Sequence, residues 1–420
     1  MAKIYIETYG CALNQSEMEY LKDALQDYQF VYRAENADIL LINTCVVIES
    51  TEKRMFKRIK ALYELCQTDK ELIVTGCACK PLHDIISSNF PNARLMKYVQ
   101  VPRYITSVYR PEANVTKENN VRASVKIADG CKGFCSYCIV RLVRGELKSR
   151  NIYDIVKEVE SKVEKGAKQI LLTGQDVGVY GLDKGLRLPE LINAVTSLDR
   201  NFIVRIGMIN PSALGDILDE LIDSFKSPKI YKFLHVPVQS GSARILHLMG
   251  RNYSISRFKN NIAKIRAEFK DLTLSTDFIV GFPYETDHDF KLTLSLLKEL
   301  KPLKVNITRF SKRDGTDAYH MPQIPHRKVK ERSRALTLEH HRIAYFENMR
   351  WLGRKLSALA IEKGKGYSTV LYNDFYRPIV VQGELQLGCR YDVIICEITP
   401  TYLIGNLTAN FTKTAIIEAH

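Results

Sequence analysis

The 420-residue chain has no apolar run long enough to cross a bilayer. It also lacks a charged-then-apolar leader, opening instead on the strand-like Lys3-Ile4-Tyr5-Ile6-Glu7-Thr8. A cytoplasmic protein without a membrane segment is therefore expected. Its 10 cysteines are too sparse for a disulfide scaffold, and in a reducing compartment clustered ones read as metal ligands. With 14 prolines and 45% hydrophobic residues, the composition argues against long disorder and allows a sizeable core. There is no repeat of fixed period and no low-complexity tract. Acidic residues are in deficit, 47 against 61 Lys and Arg, giving a net charge of +14. That imbalance points to a polyanionic partner, nucleic acid first and an anionic membrane surface second. The length calls for two or three domains.

What is present is organised around Cys131-Lys132-Gly133-Phe134-Cys135-Ser136-Tyr137-Cys138. Clustered thiolates are soft ligands and select zinc or iron–sulfur over hard cations. Structural zinc wants four ligands and closes its own site. Three cysteines on one loop would instead leave one iron of a cubane open to an outside ligand. A zinc knuckle with its fourth ligand from elsewhere is the alternative.

The first third alternates strands and helices: Ile4–Glu7, a helix over Ser16–Gln26, Asp38–Ile42, a basic helix to Leu65, Glu71–Val74 and a helix over Leu82–Ser88. Such alternation predicts an open parallel sheet with right-handed crossovers. Each strand ends on a thiol: Tyr9-Gly10-Cys11, Asn43-Thr44-Cys45 and Thr75-Gly76-Cys77. Because carboxyl ends of parallel strands share one edge, where ligands bind, Cys11, Cys45 and Cys77 are expected to converge on a second metal site. Three buried core cysteines are the bland alternative. Cys79 competes with Cys77, which is preferred because it follows its strand as the other two do. Cys66 reads as structural. Lys53, Arg54, Lys57, Arg58 and Lys60 form either a solvated face or part of a nucleic-acid footprint.

Pro111–Arg122 reads as a linker, after which alternation restarts. Strands are expected at Val125–Ala128, Gln169–Thr173, Ile203–Gly207, Lys232–Val236, Leu272–Val280 and Val305–Phe310, with helices clearest at Ile152–Lys165, Ser256–Phe269 and Asp287–Lys298. Gly166 and Gly250 fall at helix stops. Six units are too few for a closed eight-stranded barrel, so an open, partial one is expected, with its chemistry at the carboxyl ends of the strands. A basic helix near Lys328–Arg350 precedes short runs at Leu356–Ile361, Ser368–Tyr372, Pro378–Val381, Tyr391–Glu397 and Leu403–Leu407. These predict a small β-barrel of the kind that binds oligonucleotides, with Cys389 and Cys396 in its core. The fold class expected is α/β: an N-terminal parallel sheet domain (1–112), a central partial (β/α)6 barrel (121–350) and a C-terminal small β-barrel (351–420).

The spacing of Cys131, Cys135 and Cys138 is similar to that of radical S-adenosylmethionine (SAM) enzymes. Preceded by Cys11, Cys45 and Cys77 and followed by a small β-barrel, it resembles the radical SAM methylthiotransferase family over nearly the whole chain. Further shared motifs are Arg144-Gly145-Glu146-Leu147-Lys148-Ser149-Arg150, Leu172-Thr173-Gly174-Gln175, His235-Val236-Pro237-Val238-Gln239-Ser240-Gly241-Ser242, Asp277–Thr286 and Arg309–Thr316. The resemblance implies two 4Fe–4S clusters, an auxiliary one on Cys11, Cys45 and Cys77 and a SAM-binding one on Cys131, Cys135 and Cys138. It implies SAM as both methyl donor and radical source, with Thr173, Gly174 and Gln175 at its amino end. It also implies a terminal RNA-binding (TRAM-like) module, tRNA as partner and a low-potential electron donor such as a flavodoxin or ferredoxin. No catalytic residue beyond the cluster ligands is assigned, and a monomer is expected. For Arg141, Arg144, Lys148 and Arg150, RNA phosphate contact and a solvated basic loop are both open.

Arg205–Pro211 and Asn43–Val47 look most like the archaeal and eukaryotic branch that acts on threonylcarbamoyladenosine in tRNA. The chain departs from the common family pattern at Tyr284 and Arg141, neither of them a cluster ligand. The expected activity is methylthio insertion at carbon 2 of N6-threonylcarbamoyladenosine beside the anticodon. Isopentenyladenosine in tRNA, an aspartate of a ribosomal protein, and a non-catalytic RNA-binding metalloprotein are the rivals.

Overall fold

A computed structural model of the chain describes residues 2–47, 49–66, 69–79, 82–109 and 120–408. The expected linker lies outside these residues except at 120–122, where Arg122 already belongs to a strand.

Strands β1 (Lys3–Thr8), β2 (Gln29–Val31), β3 (Ile39–Thr44), β4 (Glu71–Gly76) and β5 (Arg94–Leu95) pair in parallel, in the order β2-β1-β3-β4-β5. Helices α1 (Ala12–Ala24), α2 (Glu49–Glu64), α3 (His83–Asn89) and α4 (Val101–Val108) complete this unit. The strand β3 is buried along its whole length and feeds two cores, Leu40 and Ile42 into one and Ile39 and Leu41 into the other. A parallel sheet covered on both faces demands that kind of continuous apolar run. Helix α1 starts four residues before the expected Ser16, because the Cys11 carbonyl already accepts from the Gln15 N–H at 3.1 Å.

The central unit contains β6 (Arg122–Lys126), β7 (Ala128–Asp129), β8 (Lys148–Ser149), β9 (Gln169–Thr173), β10 (Ile203–Ile206), β11 (Phe233–His235), β12 (Thr273–Val280) and β13 (Lys304–Arg309). Two parallel three-stranded sheets, β10-β9-β6 and β11-β12-β13, are joined by parallel bridges Val204–Ile230 and Met208–His235. The result is the expected open, partial barrel. Helices α5 (Val140–Arg144), α6 (Ile152–Glu164), α7 (Leu188–Thr196), α8 (Pro211–Phe225), α9 (Ala243–Leu248), α10 (Ile255–Glu268) and α11 (Asp287–Leu300) flank it. The expected strand Val125–Ala128 is broken after Lys126. There the chain leaves the sheet to pair antiparallel with β8, which launches the cysteine loop.

Helix α12 (His326–Met349) is locked to the partial barrel through Arg332. This buried side chain donates to Glu285 at 2.7 Å and to Asp287 at 2.6 Å. Beyond it, β14 (Lys355–Lys363), β15 (Ser368–Asn373), β16 (Pro378–Gln382), β17 (Arg390–Ile398) and β18 (Leu403–Leu407) form a closed barrel around Trp351. Cys389 packs against that core, whereas Cys396 is exposed rather than buried as expected, because alternate residues of β17 face water. Among the described residues no helix is long and apolar enough to cross a membrane.

The terminal barrel meets the partial barrel through Leu359, Ile361 and Tyr376, packed on Ile203, Tyr231 and Phe233. The Lys304 ammonium lies in this seam, 4.7 Å from the Tyr376 ring centre and 5.7 Å from that of Phe233. Burial, reinforced by Arg205, Arg122 and Arg377, pushes its pKa from 10.5 down to about 7.

Two outcomes follow from these contacts. The unfolded chain takes up a proton that folded Lys304 refuses between those two values, so Lys304 makes stability rise as pH climbs from about 7 toward 10. Denaturant titrations across that range should show the rise in the parent protein and a flatter profile in Lys304→Met. Arg332→Ala leaves Glu285 buried without its cation and should destabilise by about 3–5 kcal/mol, with Arg332→Met/Glu285→Gln recovering part of the loss in the same titration.

Candidate metal centres

In the parallel register Thr8 lies opposite Asn43, and Thr44 opposite Gly76. The residues just past these ends, Cys11, Cys45 and Cys77, are therefore delivered to one edge of the sheet. Two glycines make the approach possible. A Cβ on Gly10 (φ +114°) would lie 2.8 Å from the Cys45 Cβ, and one on Gly76 (φ +86°) 2.1 Å from the Asn43 Oδ1.

Asn14, buried on the first turn of α1, bridges two of the three thiols. Its Oδ1 accepts from the Cys11 thiol at 3.4 Å and the Cys77 thiol at 4.0 Å. Its Nδ2 donates to the Thr44 carbonyl at 2.8 Å, and Asn43 Nδ2 donates back to the Asn14 carbonyl at 2.9 Å. Cys79 points elsewhere, its thiol donating to the Val74 carbonyl at 3.1 Å.

These thiols sit in an environment hostile to bare charge. Burial pushes Cys45 up to about 11, and neighbouring Cys77 and Cys11 add to the effect. Burial also raises Cys77, but the Arg144 guanidinium works against it. Arg144 comes from α5 of the central unit. It donates through both Nη atoms to the buried Glu17 and, from Nη2, to Cys77 Sγ at 3.3 Å.

The second triad lies on the loop between β7 and α5. The loop is pinned by Cys131 N–H to the Gly145 carbonyl at 3.2 Å and Ser136 N–H to the Met249 carbonyl at 3.0 Å. A Cβ on Gly133 would stand 3.4 Å from Cys131 Sγ and 3.8 Å from Cys135 Sγ, so these two sulfurs lie together. Burial pushes Cys138 up to about 12, with Cys135 and Cys131 contributing. Arg251, buried, donates to Tyr137 Oη at 3.0 Å and lies 3.8 Å from Cys135 Sγ.

Thr173 ends β9, with Gly174 and Gln175 following at the same carboxyl edge. The buried Gln175 Oε1, Gln239 Oε1 and Arg251 Nε have no hydrogen-bond partner among the described residues. Gln239 also holds a left-handed backbone, φ +67°. Buried polar atoms are normally paired, so a polar ligand suits this edge. Neighbouring Asp176 is pushed up to about 6 by burial, against hydrogen bonds from Asn210 and Gly178. Across the barrel, His235 Nε2 and Asn306 Nδ2 both reach Asp277 Oδ1, at 2.9 and 2.7 Å.

The donor sets consist of thiols, which suit soft metals. Among the described residues no three His, Cys, Asp or Glu side chains close tightly enough on one point for a single ion. A four-iron cluster is wider than an ion and holds its thiolates farther apart.

The basic residues divide. Arg141 stacks 3.6 Å above the ring centre of exposed Phe134 and pairs with exposed Glu146 at 3.2 Å, and Lys148 is exposed. Arg144 is turned inward onto Glu17 and Cys77, and Arg150 donates to the Lys126 carbonyl at 2.7 Å and to Glu158 at 2.6 Å. On α2, Arg58 is engaged with Glu7 at 2.7 Å and Arg54 lies over the Tyr9 ring. Glu17 and Arg251 were not singled out by sequence reasoning, and Asn14 entered it only as the last residue of the Tyr9–Asn14 motif, with no role assigned. Of the three, only Asn14 carried a signal, three residues after a candidate ligand at the opening of a helix.

Residues 125–297 match the Radical SAM superfamily, and residues 3–97 match the uncharacterized protein family UPF0004. The probable threonylcarbamoyladenosine tRNA methylthiotransferase of Archaeoglobus fulgidus is 36% identical over 97% of this chain and 99% of its own length. The tRNA-2-methylthio-N(6)-dimethylallyladenosine synthase of Dictyoglomus thermophilum is 33% identical over 86% of this chain and 88% of its own. Among solved structures, the radical S-adenosylmethionine methyltransferase TsrM from Kitasatospora setae superposes with a TM-score of 0.56 at 13% identity, covering 76% of this chain and 77% of that one, a likeness of fold alone. Relatives matched from end to end, together with the radical SAM domain, show that the chain belongs to the radical SAM methylthiotransferase family.

Proposed function

We propose that this enzyme inserts a methylthio group at carbon 2 of N6-threonylcarbamoyladenosine next to the anticodon of a tRNA. The observation that carries this reading is the pair of thiol triads at carboxyl strand edges, linked by Arg144, which follows Cys138 on α5 and touches Cys77. The identity to archaeal relatives bearing that name supports the choice of nucleoside. Membership of the radical SAM superfamily carries a 4Fe–4S cluster and SAM.

In this reading Cys131, Cys135 and Cys138 hold the SAM-binding cluster, and Cys11, Cys45 and Cys77 hold a second, auxiliary 4Fe–4S cluster. Cys77 is chosen over Cys79 because the latter thiol is spent on the Val74 carbonyl. When bound, the first cluster with SAM supplies a carbon-centred radical and the second supplies sulfur. The chain's own part is binding and orientation. Thr173, Gly174 and Gln175 hold the amino end of SAM, where Gln175 Oε1 needs a donor. Arg251 braces the loop through Tyr137 and the Pro237 carbonyl at 2.9 Å. Arg141 on Phe134, with Lys148, offers a cation and an exposed ring beside the loop, a pairing that suits RNA backbone and base. The net charge of +14 favours a polyanion. The division at 1–112, 121–350 and 351–420, an RNA-binding role for the terminal barrel, a flavodoxin or ferredoxin as electron donor, a monomeric state and a cytoplasmic location complete the proposal.

Nucleoside mass spectrometry of tRNA incubated with reconstituted enzyme, SAM and reductant should show 2-methylthio-N6-threonylcarbamoyladenosine. Modification of isopentenyladenosine, or of a ribosomal protein offered in parallel, would reassign the substrate. Alanine at Cys131, Cys135 or Cys138 should abolish all SAM cleavage. Alanine at Cys11, Cys45 or Cys77 should abolish methylthiolation yet leave 5′-deoxyadenosine formation measurable by chromatography; equal loss of both would defeat the division of labour.

A further inference from the structure

We propose that Arg144 is a positioning residue that sets the electron affinity of the auxiliary centre by donating a hydrogen bond to Cys77 Sγ, with Glu17 as its counterweight. The inference rests on the assignment of Cys77 to that centre.

The geometry is specific. Helix α5 begins two residues after Cys138, and Val143 packs against the N-terminal core beside Cys77 and Ala78. One residue on, the Arg144 side chain is 10% exposed and the Glu17 carboxylate 0% exposed. Both Nη atoms bind Glu17, Nη2 also reaches Cys77 Sγ at 3.3 Å, and Nε is buried with no partner among the described residues.

A buried ion pair is a poor adhesive, since desolvating both charges offsets much of their attraction and an apolar pair would join the units as well. A guanidinium does not deprotonate, so Arg144 presents a permanent charge and a fixed fork of donors to a sulfur. Hydrogen bonds to ligand sulfurs and net local charge are what set iron–sulfur potentials. A cation with an N–H on Cys77 favours the reduced, more negative state and raises the potential. The Glu17 carboxylate on the far side of the fork lowers it.

Opposite signs make the test clean. In a full-length Cys131→Ala/Cys135→Ala/Cys138→Ala background, any reconstituted cluster belongs to the N-terminal centre, at about four irons per chain. Its midpoint potential, read by redox titration with electron paramagnetic resonance, should fall in Arg144→Gln, fall less in Arg144→Lys, and rise in Glu17→Gln. If Arg144 merely ties the two units together, loosening the seam would move Arg144→Gln and Glu17→Gln the same way or not at all, and the inference would be overturned. Should Arg144→Gln lose its iron, the Arg144→Lys and Glu17→Gln pair decides by the same opposition of sign. A triple-alanine parent that binds no iron would sink the two-centre reading itself, and this inference with it.

Discussion

Parallel strands paired in register end together, and this constraint places the chemistry. The ends of β1, β3 and β4 are locked by Thr8 opposite Asn43 and Thr44 opposite Gly76, so residues more than thirty positions apart in sequence become neighbours. The side chains flanking the thiols reinforce the register. Asn43 and Asn14 exchange hydrogen bonds, and the Thr44 hydroxyl donates to the Thr75 carbonyl at 2.6 Å while accepting from the Ala78 N–H at 3.0 Å. An antiparallel arrangement of the same strands would send alternate ends to opposite sides and scatter the sulfurs.

The partial barrel is held differently at its two flanks. Toward the N-terminal unit the contacts are mostly charged or polar: Arg144 with Glu17, Arg313 with Glu52, Lys162 with Asp23 at 3.3 Å, and Ser124 N–H with Glu19 at 2.7 Å. Toward the terminal barrel the seam is aromatic and aliphatic, with Tyr372 and Tyr376 stacked at 4.6 Å over Phe233 and Tyr231. Apolar burial gives a nondirectional, cohesive joint. Directional charge pairs instead fix the register of two units, which suits the side where the two thiol triads lie.

Much of this was legible in the residues. Strand–helix alternation, the continuous apolar run of β3, the six units of the partial barrel and the short strands of the terminal barrel all follow from local pattern. The placement of Cys11, Cys45 and Cys77 past the ends of parallel strands also follows from that pattern, because such strands share one edge. Boundaries were less secure. The break at Ile127 depends on a pairing between β7 and β8 that no local propensity encodes, and the early start of α1 depends on how Cys11 is held.

The sequence by itself determined the elements, their order and which strand ends and loop carry thiols, since these are set by side-chain periodicity and residue type. Only the tertiary structure decided how individual polar residues are used. Arg144 and Lys148 look alike in a basic motif, yet one is buried on Cys77 and Glu17 and the other is exposed. Cys77 and Cys79 are both thiols in one short turn, yet one faces Asn14 and the other a strand carbonyl. The physical reason is that a charge or thiol takes its role from the partners that surround it after folding, and those partners come from distant parts of the chain.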